Sequence, residues 1–173
     1  MDDYIKDMWQ NPPSCIQAFS KINDKKLVET ILTEYGNYTT AFSLKHKCDG
    51  PLFQIYGKSN NNEMPLLIGK IQIQCNKCKQ NDVIFNSAIH GYDGILGQGE
   101  DYSNEEDILY KCSYCTNQLF HLAVGFQYSG DEEEMIIEEN LIMKPQDLFG
   151  WFIIHGRCTT CKKINKIASI ECQ

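Results

Sequence analysis

Three pairs of cysteines, each separated by two residues, are the side chains of this sequence best suited to chemistry. Two thiolates on such a turn can bind the same metal ion. Each pair lies between two apolar, strand-like runs. The pattern therefore predicts a metal-binding protein, with zinc favoured over an iron–sulfur cluster because zinc occupies such sites more often. The pairs are Cys75 and Cys78, Cys112 and Cys115, and Cys158 and Cys161.

The compartment decides whether these cysteines are metal ligands or disulfides. The sequence beginning at Met1 lacks the basic and apolar pattern of a signal peptide, and no run approaches the roughly 20 apolar residues of a membrane span. We therefore expect a cytoplasmic protein without membrane insertion, in which thiols stay reduced. The total of nine cysteines is odd, which fits a closed disulfide framework poorly. A dithiol redox role is disfavoured, because no pair opens a helix in a strand–helix–strand unit.

Composition limits the choice of partners. The 173 residues suit one domain, and 42% hydrophobic residues with a mean hydropathy of -0.39 are ordinary for a globular chain. The net charge of -7 argues against non-specific binding to nucleic acid or anionic membranes. It suits a basic protein partner, although the same charge also simply maintains solubility.

The first 38 residues are predicted to be helical. Ser14 can cap a short helix after Pro12-Pro13, with Cys15 as a small buried apolar residue on it. Asn23 or Asp24 can cap a second helix that ends at Gly36. The apolar faces of the two helices would be Ile16, Phe19 and Ile22, and Leu27, Val28, Ile31, Leu32 and Tyr35.

Alternating apolar residues from residue 39 onward predict strands with one buried face, most clearly over 120–128. Residues 58–64 and 91–107 have the composition of loops. The acidic run at 131–139 can open a short helix. It is either a solvated face or a docking patch for a basic partner.

Two stretches of the chain match each other. Leu52 and Phe53 follow Cys48 at the same distance as Leu119 and Phe120 follow Cys115. Around Cys75 and Cys158 the two Cys-x-x-Cys-Lys turns also match, with apolar strands on both sides. The chain can therefore be divided into two copies of one unit, over about 39–90 and 106–172.

This arrangement resembles the zinc ribbon, in which two cysteine turns on hairpins bind one zinc tetrahedrally. The resemblance implies a mainly β, α+β fold: a helical segment at 1–38, then ribbon-like units at 39–95 and 106–173, packed as one domain. It implies one site at Cys112, Cys115, Cys158 and Cys161, and a second at His46, Cys48, Cys75 and Cys78. The chain departs from the family after each cysteine pair, where Lys79, Thr116 and Lys162 replace the usual glycine.

Alternatives remain open at this point. His46 is otherwise a half-buried strand residue. Cys75 and Cys78 could instead share a metal with Cys112 and Cys115, leaving Cys158 and Cys161 to find Cys48 or Cys172.

Two other groups of residues suggest function. His90, Tyr92 and Asp93 lie in a glycine-flanked segment that could perform acid–base chemistry or bind a ligand, or could simply form a turn. His121 and His155 lie on strands and are expected to be surface or packing residues. A basic cluster beside two aromatic residues could hold single-stranded nucleic acid. It comprises Arg157, Lys162, Lys163 and Lys166, beside Trp151 and Phe152.

The sequence favours a non-catalytic, zinc-stabilised module that binds a basic protein, for example a bacterial immunity-type protein that masks a toxin or enzyme. A zinc ribbon that binds nucleic acid is the second interpretation. An enzyme using His90 and Asp93 is the third.

Overall fold

The computed structural model describes residues 11–59 and 66–173, and in these the fold is mainly β, with 38% strand and 18% helix. The prediction of a mainly β protein is confirmed. The strands are β1 Ser20–Ile22, β2 Thr39–Lys45, β3 Phe53–Ser59, β4 Leu67–Cys75, β5 Asn81–Asn86, β6 Asp107–Leu109, β7 Phe120–Gln127, β8 Trp151–Cys158 and β9 Ile164–Glu171. The helices are α1 Lys25–Tyr35, α2 Gly91–Ile95 and α3 Glu132–Glu138, with 3-10 turns at Ser14–Ile16 and Pro145–Asp147.

Five strands close into a barrel. In order around the barrel they are β3, β4, β9, β8 and β7, with β7 returning to β3. All neighbours are antiparallel except β4 and β9, which meet in parallel at Leu67 and Ala168. Strands β2 and β1 extend the sheet beyond β7, while β5 pairs with β4 and β6 with β3.

The pairing interleaves the two halves of the chain, so the two zinc-ribbon-like units are not confirmed. β2 of the first half pairs with β7 of the second, and β6 of the second half pairs with β3 of the first. Phe53 and Phe120, which match in the sequence comparison, lie directly opposite each other where β3 meets β7. Both are fully buried in one continuous core. Apolar faces from both halves are thus needed to fill a single barrel.

The N-terminal segment is less helical than the spacing of its apolar residues indicates. Residues 1–10 of this predicted helical segment lie outside the described residues. Ser14–Ile16 is a single 3-10 turn, and the Ser14 hydroxyl, rather than capping a helix, donates to Asp147 Oδ2 at 2.7 Å. Ile22 lies in β1, because pairing with β2 satisfies the backbone of this segment as strand.

The predicted second helix is present as α1. Asp24 caps it, with its carboxylate accepting from the Leu27 N–H at 3.2 Å, and Gly36 ends it with a φ of 72°. Leu27 and Ile31 are fully buried against Ala123 and Ile153 of the sheet. This helix therefore covers the face of β7 and β8 that lies outside the main core.

Strand direction shows where the cysteine turns lie on the barrel. β4 and β8 run into cysteine turns, whereas β3, β5, β7 and β9 run away from them. Because β4 and β9 are parallel, and β3 and β7 are antiparallel, the turns at Cys48 and Cys75 lie at one end and those at Cys112 and Cys158 at the other. Two long connections, residues 87–106 with α2 and residues 128–150 with α3, contact each other through the Tyr92 N–H and the Phe149 carbonyl. In the described ranges we find no helix with the length and apolarity required to cross a bilayer.

Candidate metal centres

Two clusters of four side chains could each hold a metal ion. The His46 cluster consists of His46, Cys48, Cys75 and Cys78. The four-cysteine cluster consists of Cys112, Cys115, Cys158 and Cys161. Within each cluster all four ligand atoms lie within 4.8 Å of one another. The structure thus brings together the residues grouped by the first sequence interpretation and separates those grouped by the rival one.

The distances within the clusters fit a tetrahedral centre. A zinc–sulfur bond of about 2.3 Å places neighbouring sulfurs of a tetrahedron about 3.8 Å apart. In the four-cysteine cluster, Cys112 Sγ lies 3.6 Å from Cys161 Sγ, and Cys115 Sγ lies 3.5 Å from Cys158 Sγ. All nine cysteines are free thiols. The donor sets therefore suit a thiophilic ion with four ligands.

The His46 cluster has comparable spacing. His46 Nδ1 lies 3.2 Å from Cys48 Sγ and 3.4 Å from Cys78 Sγ, and Cys48 Sγ lies 3.5 Å from Cys75 Sγ. The Cys48 N–H points at Nδ1 from 3.3 Å. Nδ1 therefore carries the ring's lone pair and is the atom available to a metal.

The three Cys-x-x-Cys turns share one backbone pattern. In each, the N–H of the first cysteine donates to the carbonyl five residues ahead, and the N–H four residues ahead donates back to the first cysteine's carbonyl. The forward bonds run from Cys75 to Gln80 (3.0 Å), Cys112 to Asn117 (2.7 Å) and Cys158 to Lys163 (3.0 Å). The return bonds run from Lys79 to Cys75 (2.9 Å), Thr116 to Cys112 (2.9 Å) and Lys162 to Cys158 (3.1 Å).

The residue after each pair adopts the conformation that glycine favours. Lys79, Thr116 and Lys162 have φ values of 62°, 63° and 64°. A non-glycine residue there costs about 1–2 kcal/mol. The turn geometry is therefore kept without the usual glycine, at the cost of local backbone strain.

The fourth turn, at His46, is a shortened version of the others. Its forward and return bonds, His46 N–H to Gly50 O and Asp49 N–H to His46 O, are both 2.8 Å long and each span one residue fewer. Asp49 has a φ of 67°. The shorter turn is completed by the longer histidine side chain, which explains why His-x-Cys can replace Cys-x-x-Cys here.

Each cluster has an outer polar partner at the same sequence offset, four residues after its last cysteine. After Cys78 this residue is Asp82, whose Oδ2 accepts from His46 Nε2 at 3.2 Å. After Cys161 it is Asn165, whose amide donates to Cys112 Sγ at 3.4 Å. A carboxylate suits a ring N–H, and an amide donor suits a thiolate. The matched positions support His46 as the counterpart of Cys112.

Hydrogen bonds favour thiolate formation in the four-cysteine cluster. Burial opposes ionisation of Cys158, but the Cys161 N–H and the Asn117 amide, 3.3 Å from its sulfur, outweigh burial and lower its pKa to about 6. The Lys163 N–H lowers the pKa of Cys161, yet burial and three neighbouring thiols together raise it to about 11. Four sulfurs this close cannot all ionise without a cation between them.

Cys15 and Cys172 belong to neither cluster. Burial raises the pKa of each thiol to about 12. Both pack against the core. At neutral pH they behave as small apolar residues and poor nucleophiles.

The predicted functional segment at His90 does not form a converging acid–base pair. His90 precedes α2 and accepts the Asn86 N–H on Nδ1 at 2.9 Å, and burial lowers its pKa. His90 lines one depression, whereas Asp93 lines another. The Tyr92 N–H donates to Phe149 O at 3.1 Å, which fixes α2 against the neighbouring connection. The segment is a short helix, not an open loop.

The two strand histidines are buried or half-buried, and His155 packs under α1. His155 is 3% exposed, with Nδ1 2.8 Å from Thr30 Oγ1, and burial lowers its pKa. His121 is half-buried, and burial likewise lowers its pKa. Neither lies in a metal cluster.

The basic residues near the last cysteine turn do not form one surface with the aromatic residues. Arg157 binds Asp24 through two bonds of 3.1 and 2.5 Å. Lys163 lies 4.4 Å over the Tyr114 ring. Phe152 is fully buried near the start of β8 and Arg157 lies near its end, about 15–20 Å away. These cations are largely engaged within the fold.

Comparison of the chain with protein-family models, with curated proteins and with solved structures found no match. The residues that sequence reasoning missed are the outer partners Asp82, Asn117 and Asn165. The signal for Asp82 and Asn165 was the repeat itself, because they fall at one offset in the two copies.

Proposed function

We propose that the protein is a non-catalytic protein-binding module, stabilised by two structural zinc ions, that covers a basic partner. The observation that carries this proposal is that each cluster offers four protein ligands. A centre with four protein ligands has no open position for water or substrate, so its metal serves the fold. The metal ions would hold the cysteine turns together, and the two long connections with α2 and α3 are left for recognition.

Zinc fits the donor sets best. The four-cysteine cluster suits zinc or iron, but the His46 cluster supplies three thiolates and one imidazole, a set common in structural zinc sites. Zinc in structural sites is tetrahedral with four ligands, and it has no redox chemistry. The mixed donor set therefore favours zinc for both centres.

Negative charge is concentrated in the two connections that carry α2 and α3. Of the chain's 23 acidic and 16 basic side chains, the connections at 87–106 and 128–150 hold twelve acidic residues and one basic residue, Lys144. Their net charge is -11, against -7 for the whole chain, so the rest of the chain carries +4. Such a field attracts a basic partner and accelerates its association.

The position of these connections also supports binding. Connections added to repeated units often form the binding face, and binding residues are concentrated on loops held by a rigid scaffold. Glu132 anchors α3 by accepting the Ser129 N–H at 2.6 Å and the Gly130 N–H at 3.1 Å. Glu133 and Glu134, on the same helix, are exposed. One concrete form of the proposal is an immunity-type protein that masks a basic bacterial toxin or enzyme.

The test begins with partners cross-linked to the wild-type protein in its host, each then purified and titrated directly. We expect a basic protein whose affinity falls with salt and weakens several-fold with Glu134→Lys. Glu29→Lys, the same charge change on an exposed face of α1, is the matched control and should leave affinity unchanged. Direct binding of single-stranded oligonucleotides, with no protein ligand, would establish the nucleic-acid interpretation instead.

A further inference from the structure

Helix α2 separates two depressions beside the acidic connections. The apolar groove, of about 170 Å³, lies between α2 and the 128–150 connection, and the acidic cleft, of about 320 Å³, lies on the other side of α2. The groove is lined by the apolar residues Cys15, Ile89, Ile95, Met143 and Phe149. The acidic residue Asp147 also lines it. The cleft is lined by Asp93, Glu100 and Glu171 with Tyr102, and none of its described lining residues is basic.

The wall between the depressions is held rigidly. The Asp93 N–H donates to Cys172 O at 2.7 Å, and the Tyr92 N–H donates to Phe149 O. Gly91 has a φ of 73°, and a Cβ there would lie 2.7 Å from Cys172 Cβ. The depressions are therefore formed before any ligand arrives, which reduces the ordering cost of binding.

The size of the groove fits a side chain better than a metabolite. Small-molecule sites usually enclose about 300–1,000 Å³. The groove has about half the volume of the lower limit, and the cleft lies at the lower end of the range, large enough for one long basic side chain. Ile89 is 58% exposed at the groove, so an apolar side chain entering there would bury this isoleucine as well.

We propose that the groove receives an apolar side chain, and the cleft a lysine or arginine, from one basic segment of the partner protein. The inference rests on the proposed function and deepens it. The acidic field around both depressions favours such a segment over an acidic or neutral one. A helix is about 10 Å wide, so an extended segment crossing α2 places its two anchors about three residues apart.

The probe is a set of fluorescein-labelled nonapeptides in a glycine–serine background, each with one leucine and two arginines. Across the set, the leucine lies two to four residues from the nearer arginine. Anisotropy at about 20 mM salt should show binding that peaks near a spacing of three. Replacing the leucine by alanine in the peptide, or Ile89→Ser in the protein, should weaken binding at least tenfold. The double variant Glu100→Gln, Glu171→Gln should also weaken peptide binding at least tenfold.

Matched controls lie outside the two depressions. Val83→Ser removes another half-exposed apolar side chain, and Glu29→Gln removes another exposed carboxylate. Both should leave peptide affinity unchanged. Equal weakening by these controls would overturn the proposal, since binding would then follow overall charge alone. Retained metal content and melting temperature show that each variant is folded.

Other occupants give different results. If a synthetic peptide of residues 1–10 binds a chain lacking those residues and competes with the probes, the groove serves the protein's own N-terminus and the proposal falls. Concentration-dependent dimerisation abolished by Ile89→Ser would assign the groove to a second copy. If the purified partner binds but is insensitive to Ile89→Ser and to the cleft variants, the site is wrong while the proposed function stands.

Discussion

Replacing Asp82 by alanine should weaken metal binding at the His46 cluster and leave the four-cysteine cluster unaffected. Asp82 is the acceptor for His46 Nε2–H at 3.2 Å and so holds the ring with Nδ1 toward the three sulfurs. Losing such an outer partner typically costs about 10- to 100-fold in metal affinity. The corresponding free energy is about 1.4–2.7 kcal/mol.

The assay is stepwise zinc transfer to a competing chelator, followed by native mass spectrometry, which counts chains with two, one and no metal ions. In Asp82→Ala only the loss of the first zinc ion should shift, to a lower chelator concentration. Asp82→Asn, which keeps a neutral oxygen acceptor, should fall between wild type and alanine. Asp49→Asn removes a carboxylate one residue from Cys48 that bonds Lys45, and it should change nothing.

Two results would refute this reasoning. An unchanged first step in Asp82→Ala would show that His46 is not held by the carboxylate or is not a ligand. An equal shift in Asp49→Asn would show that only nearby charge matters. Long-range proton–nitrogen spectra of the histidine rings give an independent check, since His46 should keep its proton on Nε2 in the metal-bound protein.

Three further predictions follow from the same structure. Lys162→Gly should raise the melting temperature by a few degrees, because it relieves about 1 kcal/mol of strain at a φ of 64°; a fall would mean that the lysine side chain contributes more than the strain costs. Phe53→Ala and Phe120→Ala, opposite each other in the core, should each cost about 3–5 kcal/mol in chemical denaturation, and a cost below 1 kcal/mol for either would contradict the shared core. Burial lowers the pKa of His155, so the neutral ring contributes fully to stability above the unfolded-state pKa near 6.5. This contribution is lost as pH falls through the lower pKa of the folded state. His155→Asn should flatten that part of the curve of stability against pH, and an unchanged slope would show that the ring is already charged in the folded protein.

Local patterns predicted the elements that depend on local interactions. Alternation located the strands beside the cysteine turns, and Asp24 and Gly36 marked the ends of α1 because capping involves neighbouring residues. Cysteine spacing and the internal repeat led to the same two groups of four residues that the structure brings together. The turn at His46 was recognisable only through its alignment with the longer turn at Cys112.

The remaining features depend on contacts between residues distant in sequence. Nothing in the pattern of 39–45 shows that β2 pairs with β7, and this pairing interleaves the halves. The helical spacing before Ile22 was misleading, because β1 pairs with β2 and that pairing decides its conformation. The role of Asp82 depends on a histidine 36 residues away. A polar residue of this kind shows its purpose only once the strands have been paired.

The most direct test of the account is the metal content of the purified wild-type protein, measured by elemental mass spectrometry beside protein concentration. We predict two zinc ions per chain, and one zinc ion in the double variant Cys112→Ser, Cys158→Ser, in which the four-cysteine cluster is disabled. A colourless sample with no bound metal and an unchanged melting curve in strong chelator, or a brown sample containing iron, would contradict it.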